Sequence, residues 1–156
     1  IACSLKGNGK FYIHDIDERK LKEADSRAKR AGVKFKRLEG DNLQKYCSSF
    51  DCVIVDVPCS GSGAWRRNPQ QKWRITPKSL NEILTRQTVI LDEAKDLLKK
   101  NGYIFYITCS LLKIENEEVI QKFLMENKHF RLFNKKNVTI DNHGDGFFCA
   151  VLQKKN

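Results

Sequence analysis

The sequence predicts an α/β fold, a three-layer sandwich of helices around a mostly parallel sheet. Short apolar runs typical of strands alternate with amphipathic segments typical of helices along the 156 residues, and this alternation indicates parallel βαβ units. The stretch at residues 52–57 is apolar up to its end at Asp56, and that at 103–108 is apolar up to Thr108, as in strands that are buried on both faces. Two further strand candidates lie close together near the end of the chain, which predicts an antiparallel edge.

The individual elements follow from the positions of apolar residues and of capping and stop signals. A strand at residues 11–14 precedes Asp17, which is placed to cap a helix that runs to about residue 31 and stops at Gly32. The other predicted elements are strands at 33–38, 52–57 and 103–108, a long loop to residue 77, helices at 79–100 and 115–125, and strands at 130–133 and 147–152. No repeat or linker interrupts this pattern, so we expect residues 1–156 to form one domain.

Composition limits the possible classes of function. The sequence has no apolar run long enough to span a membrane and its first residues lack the layout of a secretion signal, so we expect a soluble, cytoplasmic protein. The formal net charge of +10 predicts a polyanionic partner, although a lysine-rich solvated surface explains the charge equally well.

The location of the positive charge is more informative than its total. Residues 57–80 contain no acidic side chain, whereas five basic ones fall there: Arg66, Arg67, Lys72, Arg74 and Lys78. Trp65 and Trp73 lie among them. Because cationic side chains neutralise phosphates and aromatic rings stack on unpaired bases, the segment is a candidate RNA-binding surface. Taken alone, each tryptophan is more often an anchor in a core.

The six cysteines do not form a recognisable metal site. They are Cys3, Cys47, Cys52, Cys59, Cys109 and Cys149, and no two are separated by two residues. The sequence therefore predicts no zinc site, and we expect six free thiols, most of them small buried hydrophobic side chains.

Acidic residues follow the first two predicted strands, where α/β sheets bind ligands. Asp15 is the better candidate for binding ribose hydroxyls, because Asp17 is placed to cap the helix. Asp41 follows the second strand, next to a glycine that allows close approach of the backbone. Purely structural roles, as a cap or a turn residue, explain these aspartates at least as well.

Two thiols follow buried strands that should be neighbours. Cys59 comes after Asp56-Val57-Pro58, and Cys109 comes directly after the strand at 103–108. The two thiols can therefore converge beside Asp56, where a soft thiolate could attack an electron-poor ring carbon. We expect nearby basic residues to lower the pKa of such a thiol: Arg66, Arg67 and Lys72. Two buried structural cysteines are the alternative.

Three motifs together carry a resemblance to a known family. The strings DVPCSGSGAWRRNPQQKW, YITCSLLKIENEEVI and GDGFF occur in the order and at the approximate spacing of the Sun (RsmB-like) RNA cytosine-5 methyltransferases. The chain resembles this family over nearly its whole length. The resemblance implies a Rossmann-like fold of the class I methyltransferase type.

The resemblance also implies roles for individual residues. Cys109 matches the family's nucleophile, Cys59 matches the cysteine that helps release the product, and Asp56 matches the aspartate beside the cytosine and the methyl donor. Asp15 and Asp41 match the acids that bind the cofactor at its ribose and near its adenine. Lys72 matches a motif lysine near the active site.

The implied reaction is methylation of carbon 5 of cytosine in RNA, with S-adenosylmethionine as the cofactor. Cys109 would attack carbon 6 of a cytosine presented out of any stack, which makes carbon 5 nucleophilic. Ribosomal RNA is the expected partner ahead of transfer RNA. We expect a monomer that needs neither a metal nor a membrane.

The chain departs from the family at its beginning. The family's first strand and glycine-rich cofactor loop are absent, and residues 1–5 resemble the tail of the helix that follows this loop. The missing strand would lie between the strands at 11–14 and 52–57. We therefore expect the isolated chain to bind S-adenosylmethionine poorly and to be inactive.

Three other functions are open from the residues. The missing loop favours a non-catalytic remnant that only binds RNA. The presence of Cys59 and Cys109 argues against it, because RNA binding alone does not need them. An amino-methylating enzyme would carry an aromatic residue where Cys59 stands. A thiol oxidoreductase would need a CxxC pair, which the sequence does not contain.

Overall fold

The computed structural model describes residues 4–5, 8–38, 43–141 and 144–156, which form two compact units at Ile1–Lys45 and Tyr46–Asn156. The strands are β1 (Phe11–Ile13), β2 (Phe35–Arg37), β3 (Phe50–Asp56), β4 (Leu98–Thr108), β5 (Phe130–Val138) and β6 (Phe147–Lys154). The helices are α1 (Glu18–Arg30), α2 (Gln70–Arg74), α3 (Pro77–Leu97) and α4 (Glu117–Glu126). Of these helices, none is both long and apolar enough to cross a membrane.

The first unit is a βαβ arrangement. Strands β1 and β2 pair in parallel, and α1 connects them. Asp17 caps α1 by accepting a hydrogen bond from the backbone N–H of Arg19 at 2.9 Å, as predicted. Gly32 follows the helix at a φ of +66°, a conformation that glycine adopts without steric cost.

The second unit contains a four-stranded sheet in the order β3-β4-β6-β5. Strands β3 and β4 are parallel, and β6 is antiparallel to both β4 and β5. The predictions of an α/β fold with parallel strands and of an antiparallel C-terminal edge are therefore confirmed. Among the described strands only β4 pairs with β3, so the other edge of β3 has no strand partner in this part of the chain.

Helices α3 and α4 bury their apolar residues against one face of this sheet. The core cluster includes Leu91 from α3, Phe123 from α4, and Ile104, Tyr106, Phe148 and Leu152 from the strands. Burial of each large side chain contributes about 1.5–3 kcal/mol, so this face holds the hydrophobic core of the unit. Because α3 and α4 lie on the same face of this sheet, the second helical layer of a three-layer sandwich stays a prediction. The single domain also stays a prediction.

The opposite face of the sheet is less covered than predicted. Cys52 is exposed and Ile54 is 44% exposed, so the prediction that residues 52–57 are buried on both faces is wrong. The expectation of mostly buried cysteines is also wrong. Among the five described cysteines, Cys47 and Cys52 are exposed and the others are half-buried.

Several boundaries differ from those that the sequence predicts. Helix α3 ends at Leu97, and the chain continues directly into β4, because the fully buried Leu98 pairs with Phe50. Strand β5 extends to Val138, because its residues after the irregularity at Phe133 continue to pair with β6 as far as Val138. The predicted loop to residue 77 contains α2 and a 3₁₀ turn at Ser62–Ala64. These differences arise from pairing with distant segments, which local patterns do not encode.

Candidate active site

Two thiols meet at the carboxyl ends of adjacent parallel strands. In the register of β3 and β4, Asp56 lies beside Ile107, and the N–H of Val57 extends the pairing to the carbonyl of Ile107 at 3.2 Å. The chain then leads to Cys59 and Cys109, whose Sγ atoms lie 3.2 Å apart in a half-buried position. The predicted convergence of these thiols is confirmed.

The contact between the sulfur atoms makes the two cysteines chemically unequal. The Cys59 thiol, which can donate a hydrogen bond, lowers the pKa of Cys109 to about 7, against the opposing effects of burial and of the charges on Asp56 and Glu115. The same contact, together with burial, raises the pKa of Cys59. The largest effect that lowers the pKa of Cys109 therefore comes from the neighbouring thiol, and the expected effect of Arg66, Arg67 and Lys72 stays a prediction.

Asp56 is exposed at the end of β3. Among the described residues no hydrogen bond or ion pair engages its carboxylate, and its electrostatic effect on Cys109 is to raise the pKa of that thiol. Its oxygens can therefore accept hydrogen bonds from a ligand near the sulfur atoms. A carboxylate that binds the polar edge of a base needs this accessibility.

A buried polar network lies beneath the thiols. The carboxylate of Glu115 is fully buried and accepts hydrogen bonds from the N–H and the hydroxyl of Ser60, the hydroxyl of Ser110 and the side-chain amide of Gln87. The hydroxyl of Tyr106 donates to the backbone carbonyl of Glu115 at 2.6 Å. These residues were not predicted from the sequence as part of the site. The only local signal is that a serine follows each of the two cysteines.

Two glycines join all three sequence motifs. The N–H of Gly63 donates to the carbonyl of Cys109 at 2.9 Å, and the N–H of Gly146 donates to the carbonyl of Gly63 at 3.0 Å. A Cβ atom on Gly63 would lie 2.2 Å from the carbonyl oxygen of Gly146. Only glycine therefore fits at position 63, and the three motif loops form one packed unit.

The basic segment divides into paired and exposed residues. Arg67 forms an ion pair with Asp145, and Arg66 donates to the carbonyl of Asp141 at 3.0 Å. Lys72 lies on α2 with its ammonium 5.7 Å from the ring centroid of Trp73, and Arg74 is exposed at the end of the same helix. Of the four residues predicted to bind RNA, Arg66 and Arg67 thus already have partners in the protein, whereas Lys72 and Arg74 are exposed on α2.

The two tryptophans have different environments. Trp65 is half-buried and its Nε1–H donates to the carbonyl of Ser60 at 3.1 Å, as an anchor for the loop after Cys59. Trp73 is 82% exposed. An aromatic ring of this size is seldom left so open, which makes Trp73 a candidate stacking surface.

Comparison with known proteins identifies the family. The family model described as 16S rRNA methyltransferase RsmB/F matches residues 1–153. The chain belongs to the RsmB/F family. The thiol pair, the buried network around Glu115 and the two bonded glycines all lie within the residues that the family model matches.

Members of the RsmB/F family with curated descriptions include close matches in sequence. The ribosomal RNA small subunit methyltransferase B of Enterobacter sp. (strain 638) is 35% identical over 153 residues, which cover 90% of this chain and 36% of the relative. The protein of the same description from Escherichia coli O1:K1 / APEC is also 35% identical, with the same coverage. The chain thus spans little more than a third of the length of these relatives.

Solved structures agree with the fold of this RsmB/F chain. The crystal structure of PH0851 superposes with a TM-score of 0.87 at 32% identity, covering 96% of this chain and 38% of that one. A methyltransferase homolog protein from Pyrococcus horikoshii superposes with a TM-score of 0.78 at 26% identity, covering 96% of this chain and 55% of that one. These similarities confirm the predicted class I methyltransferase fold.

The acids that the resemblance to the RsmB/F family assigns to the cofactor are described in part. Asp15 is half-exposed after β1, where its Oδ1 accepts from the N–H of Asp17 at 2.8 Å and its Oδ2 lies 3.5 Å from the ammonium of Lys20. A carboxylate has about four acceptor positions, so ribose hydroxyls can still bind to Asp15. Asp41 lies outside the described residues. Among those described, no group of three or more potential metal ligands occurs.

Proposed function

We propose that this chain contains the catalytic thiols of an RNA (cytosine-5-)methyltransferase that acts on ribosomal RNA and uses S-adenosylmethionine. The observation that carries the proposal is the 3.2 Å contact between the Cys59 and Cys109 sulfur atoms at adjacent strand ends, in a chain of the RsmB/F family. We further propose a cytoplasmic monomer that needs no metal, and a single methyltransferase domain at residues 1–156.

Cys109 is the proposed nucleophile. Because its pKa is lowered to about 7, much of it is thiolate near neutral pH. The thiolate forms a bond to carbon 6 of cytosine, and the electrons of the double bond between carbons 5 and 6 make carbon 5 nucleophilic. The exposed carboxylate of Asp56 would accept a hydrogen bond from the exocyclic amine of the base, a common pairing of carboxylates with cytosine. S-adenosylmethionine, when bound, supplies the methyl group for carbon 5.

Cys59 is the proposed assistant in product release. Its raised pKa comes first from its hydrogen bond to Cys109. Once Cys109 is a neutral thioether on carbon 6, that cause disappears and Cys59 deprotonates more easily. Cys59 can then take the proton from carbon 5, so that the double bond re-forms and Cys109 leaves as a thiolate.

The remaining proposed contacts bind the two substrates. Asp15 and Asp41 would hold the cofactor, with Asp15 at the ribose hydroxyls and Asp56 near the reacting centre. RNA would contact the basic segment, at Lys72 and Arg74 first, since Arg66 and Arg67 have partners in the protein.

A trapping experiment tests the reaction. RNA with 5-fluorocytosine is incubated with S-adenosylmethionine and either the 156-residue chain or the full-length product of its gene. Fluorine blocks removal of the carbon 5 substituent, so the enzyme should stay bound to the RNA in denaturant. We expect an adduct with the full-length protein that Cys109→Ala abolishes and Cys149→Ala, the control at another half-buried cysteine, leaves intact.

The outcomes separate the proposal from its rivals. An adduct that survives Cys109→Ala and maps to Cys59 would reverse the roles of the two thiols. A full-length protein that binds RNA but forms no adduct would instead favour an RNA-binding module, the function that the exposed Trp73 beside Lys72 also suits.

A further inference from the structure

The carboxylate of Glu115 connects the two loops that carry the thiols. Glu115 Oε1 accepts from the N–H of Ser60 at 2.7 Å, and Oε2 accepts from the hydroxyls of Ser60 and Ser110, each at 2.5 Å. Ser60 directly follows Cys59, and Ser110 directly follows Cys109. A single side chain thus spans the gap between two loops that are 50 residues apart along the chain.

A third connection reaches helix α3. The amide of Gln87 donates to Glu115 Oε1 at 3.3 Å and to the carbonyl of Pro58 at 2.9 Å, on the other side of Cys59. The loop with Cys59 is therefore held before and after the cysteine. The hydroxyls of Ser60 and Ser110 also lie 3.2 Å apart, which closes the network.

This arrangement is costly for the fold. Glu115, Gln87 and Ser110 are fully buried, and within the described part of the chain no cation pairs with Glu115. Burial of an unpaired carboxylate is unfavourable unless several donors compensate, and an apolar residue of similar size often gives equal or greater stability. The network is therefore better explained by what it positions than by the stability that it adds.

We propose that Glu115 is a positioning residue that holds the sulfur atoms of Cys59 and Cys109 at hydrogen-bonding distance. The hydrogen bond between thiols is weak, so it persists only if both loops are fixed by other contacts. The effect of Glu115 on the reaction depends on the proposed function. Its effect on the distance between the sulfur atoms does not depend on that function.

The first test measures the pH dependence of alkylation at Cys109 in the full-length protein. Iodoacetamide labelling is followed by mass spectrometry of the peptide that contains Cys109, in the wild type, Glu115→Gln and the control Glu118→Gln. Glu118 is an exposed carboxylate of α4, so the control makes the same change of charge outside the network. The charged or titratable groups that act on Cys109 are Cys59, Asp56 and Glu115.

The direction of the shift decides between positioning and charge. If Glu115 only contributes charge, Glu115→Gln lowers the midpoint for Cys109, because a negative neighbour has been removed. If Glu115 positions the thiols, the sulfur contact is lost and the midpoint rises from about 7 towards the ordinary thiol value of about 8.5. Alkylation near neutral pH then falls about tenfold. We expect the rise, with no shift in Glu118→Gln.

A second variant covers the case in which Glu115→Gln does not fold. Ser110→Ala keeps the carboxylate and its charge but removes one of its donors on the loop with Cys109. If Glu115 positions the thiols, the midpoint of Cys109 alkylation should rise in Ser110→Ala, though less than in Glu115→Gln. If Glu115 acts only by its charge, this midpoint should not rise. A folded variant of either kind with an unchanged or lowered midpoint would overturn the proposal, with folding checked by circular dichroism.

The consequence for the reaction is tested separately with 5-fluorocytosine RNA. We expect Glu115→Gln to slow adduct formation at saturating RNA about tenfold and to leave the RNA concentration for half-maximal rate unchanged, because Glu115 bonds the residues that follow the two cysteines and not Lys72 or Arg74. If the wild type forms no adduct, the proposed function fails while the alkylation result still decides the positioning role. An unchanged adduct rate in Glu115→Gln would limit Glu115 to a structural role.

Discussion

The sulfur atoms of Cys59 and Cys109 lie 3.2 Å apart, at the ends of two parallel strands that are adjacent in the sheet. This distance lets one thiol donate a hydrogen bond to the thiolate of the other. The hydrogen bond lowers the pKa of the Cys109 thiol to about 7.

Replacement of Cys59 should change the reactivity of Cys109 in a predictable direction. Cys59→Ala removes the donor, so we expect the pKa of Cys109 to rise from about 7 and its thiolate to require more alkaline pH. Cys59→Ser keeps a donor and should keep most of the lowered pKa. Iodoacetamide labelling of Cys109 as a function of pH measures both. Equal midpoints in the two variants would contradict the role of the hydrogen bond.

Substitution of Gly63 should disrupt the packing of the three motif loops. In Gly63→Ala the new Cβ would lie 2.2 Å from the carbonyl oxygen of Gly146 and 3.0 Å from that of Cys109, both backbone atoms. We expect a loss of about 1–3 kcal/mol in the free energy of unfolding, measured by urea denaturation. Gly144→Ala is the control in the loop that carries Gly146, since the nearest atom to its new Cβ would be 3.8 Å away. Similar losses in the two variants would rule out this steric explanation.

The basic residues should contribute unequally to RNA binding. Lys72→Ala removes an exposed charge, and we expect weaker binding of single-stranded RNA with a salt dependence reduced by about 0.7 in the log–log slope. Arg67→Ala should weaken binding less, because Asp145 already neutralises this arginine. Fluorescence anisotropy at several salt concentrations measures both. The control is Lys100→Ala, which removes an exposed lysine near the start of β4, at the end of this strand that lies away from Cys109. A larger effect of Arg67→Ala than of Lys72→Ala would contradict this order.

The two tryptophans should separate binding from stability. We expect Trp73→Ala to weaken RNA binding by about 1–3 kcal/mol through lost stacking and to leave the melting temperature unchanged, because the side chain is 82% exposed. Trp65→Ala should instead lower the melting temperature, because Trp65 holds the backbone at Ser60. Anisotropy and thermal denaturation together check the pair. A destabilised Trp73→Ala would show that this ring has a structural role.

Local patterns were sufficient for much of the fold. The cap at Asp17, the alternation of strands with helices and the position of the thiols after two strands each depend on a few neighbouring residues. The boundary at Leu97 and the length of β5 were not predictable in this way, since both depend on pairing with segments far along the chain.

By itself the sequence determined which residue types stand at the strand ends, and its three motifs indicated the family to which the chain belongs. Only the tertiary structure decided that the sulfur atoms of Cys59 and Cys109 lie in contact, that Glu115 links their loops, and that Trp73 is exposed while Trp65 bonds the backbone at Ser60. The physical reason is that the thiol contact and the Glu115 network join residues about 50 positions apart, and that the exposure of each tryptophan depends on how the loop after Cys59 folds, neither of which a local pattern of residues specifies.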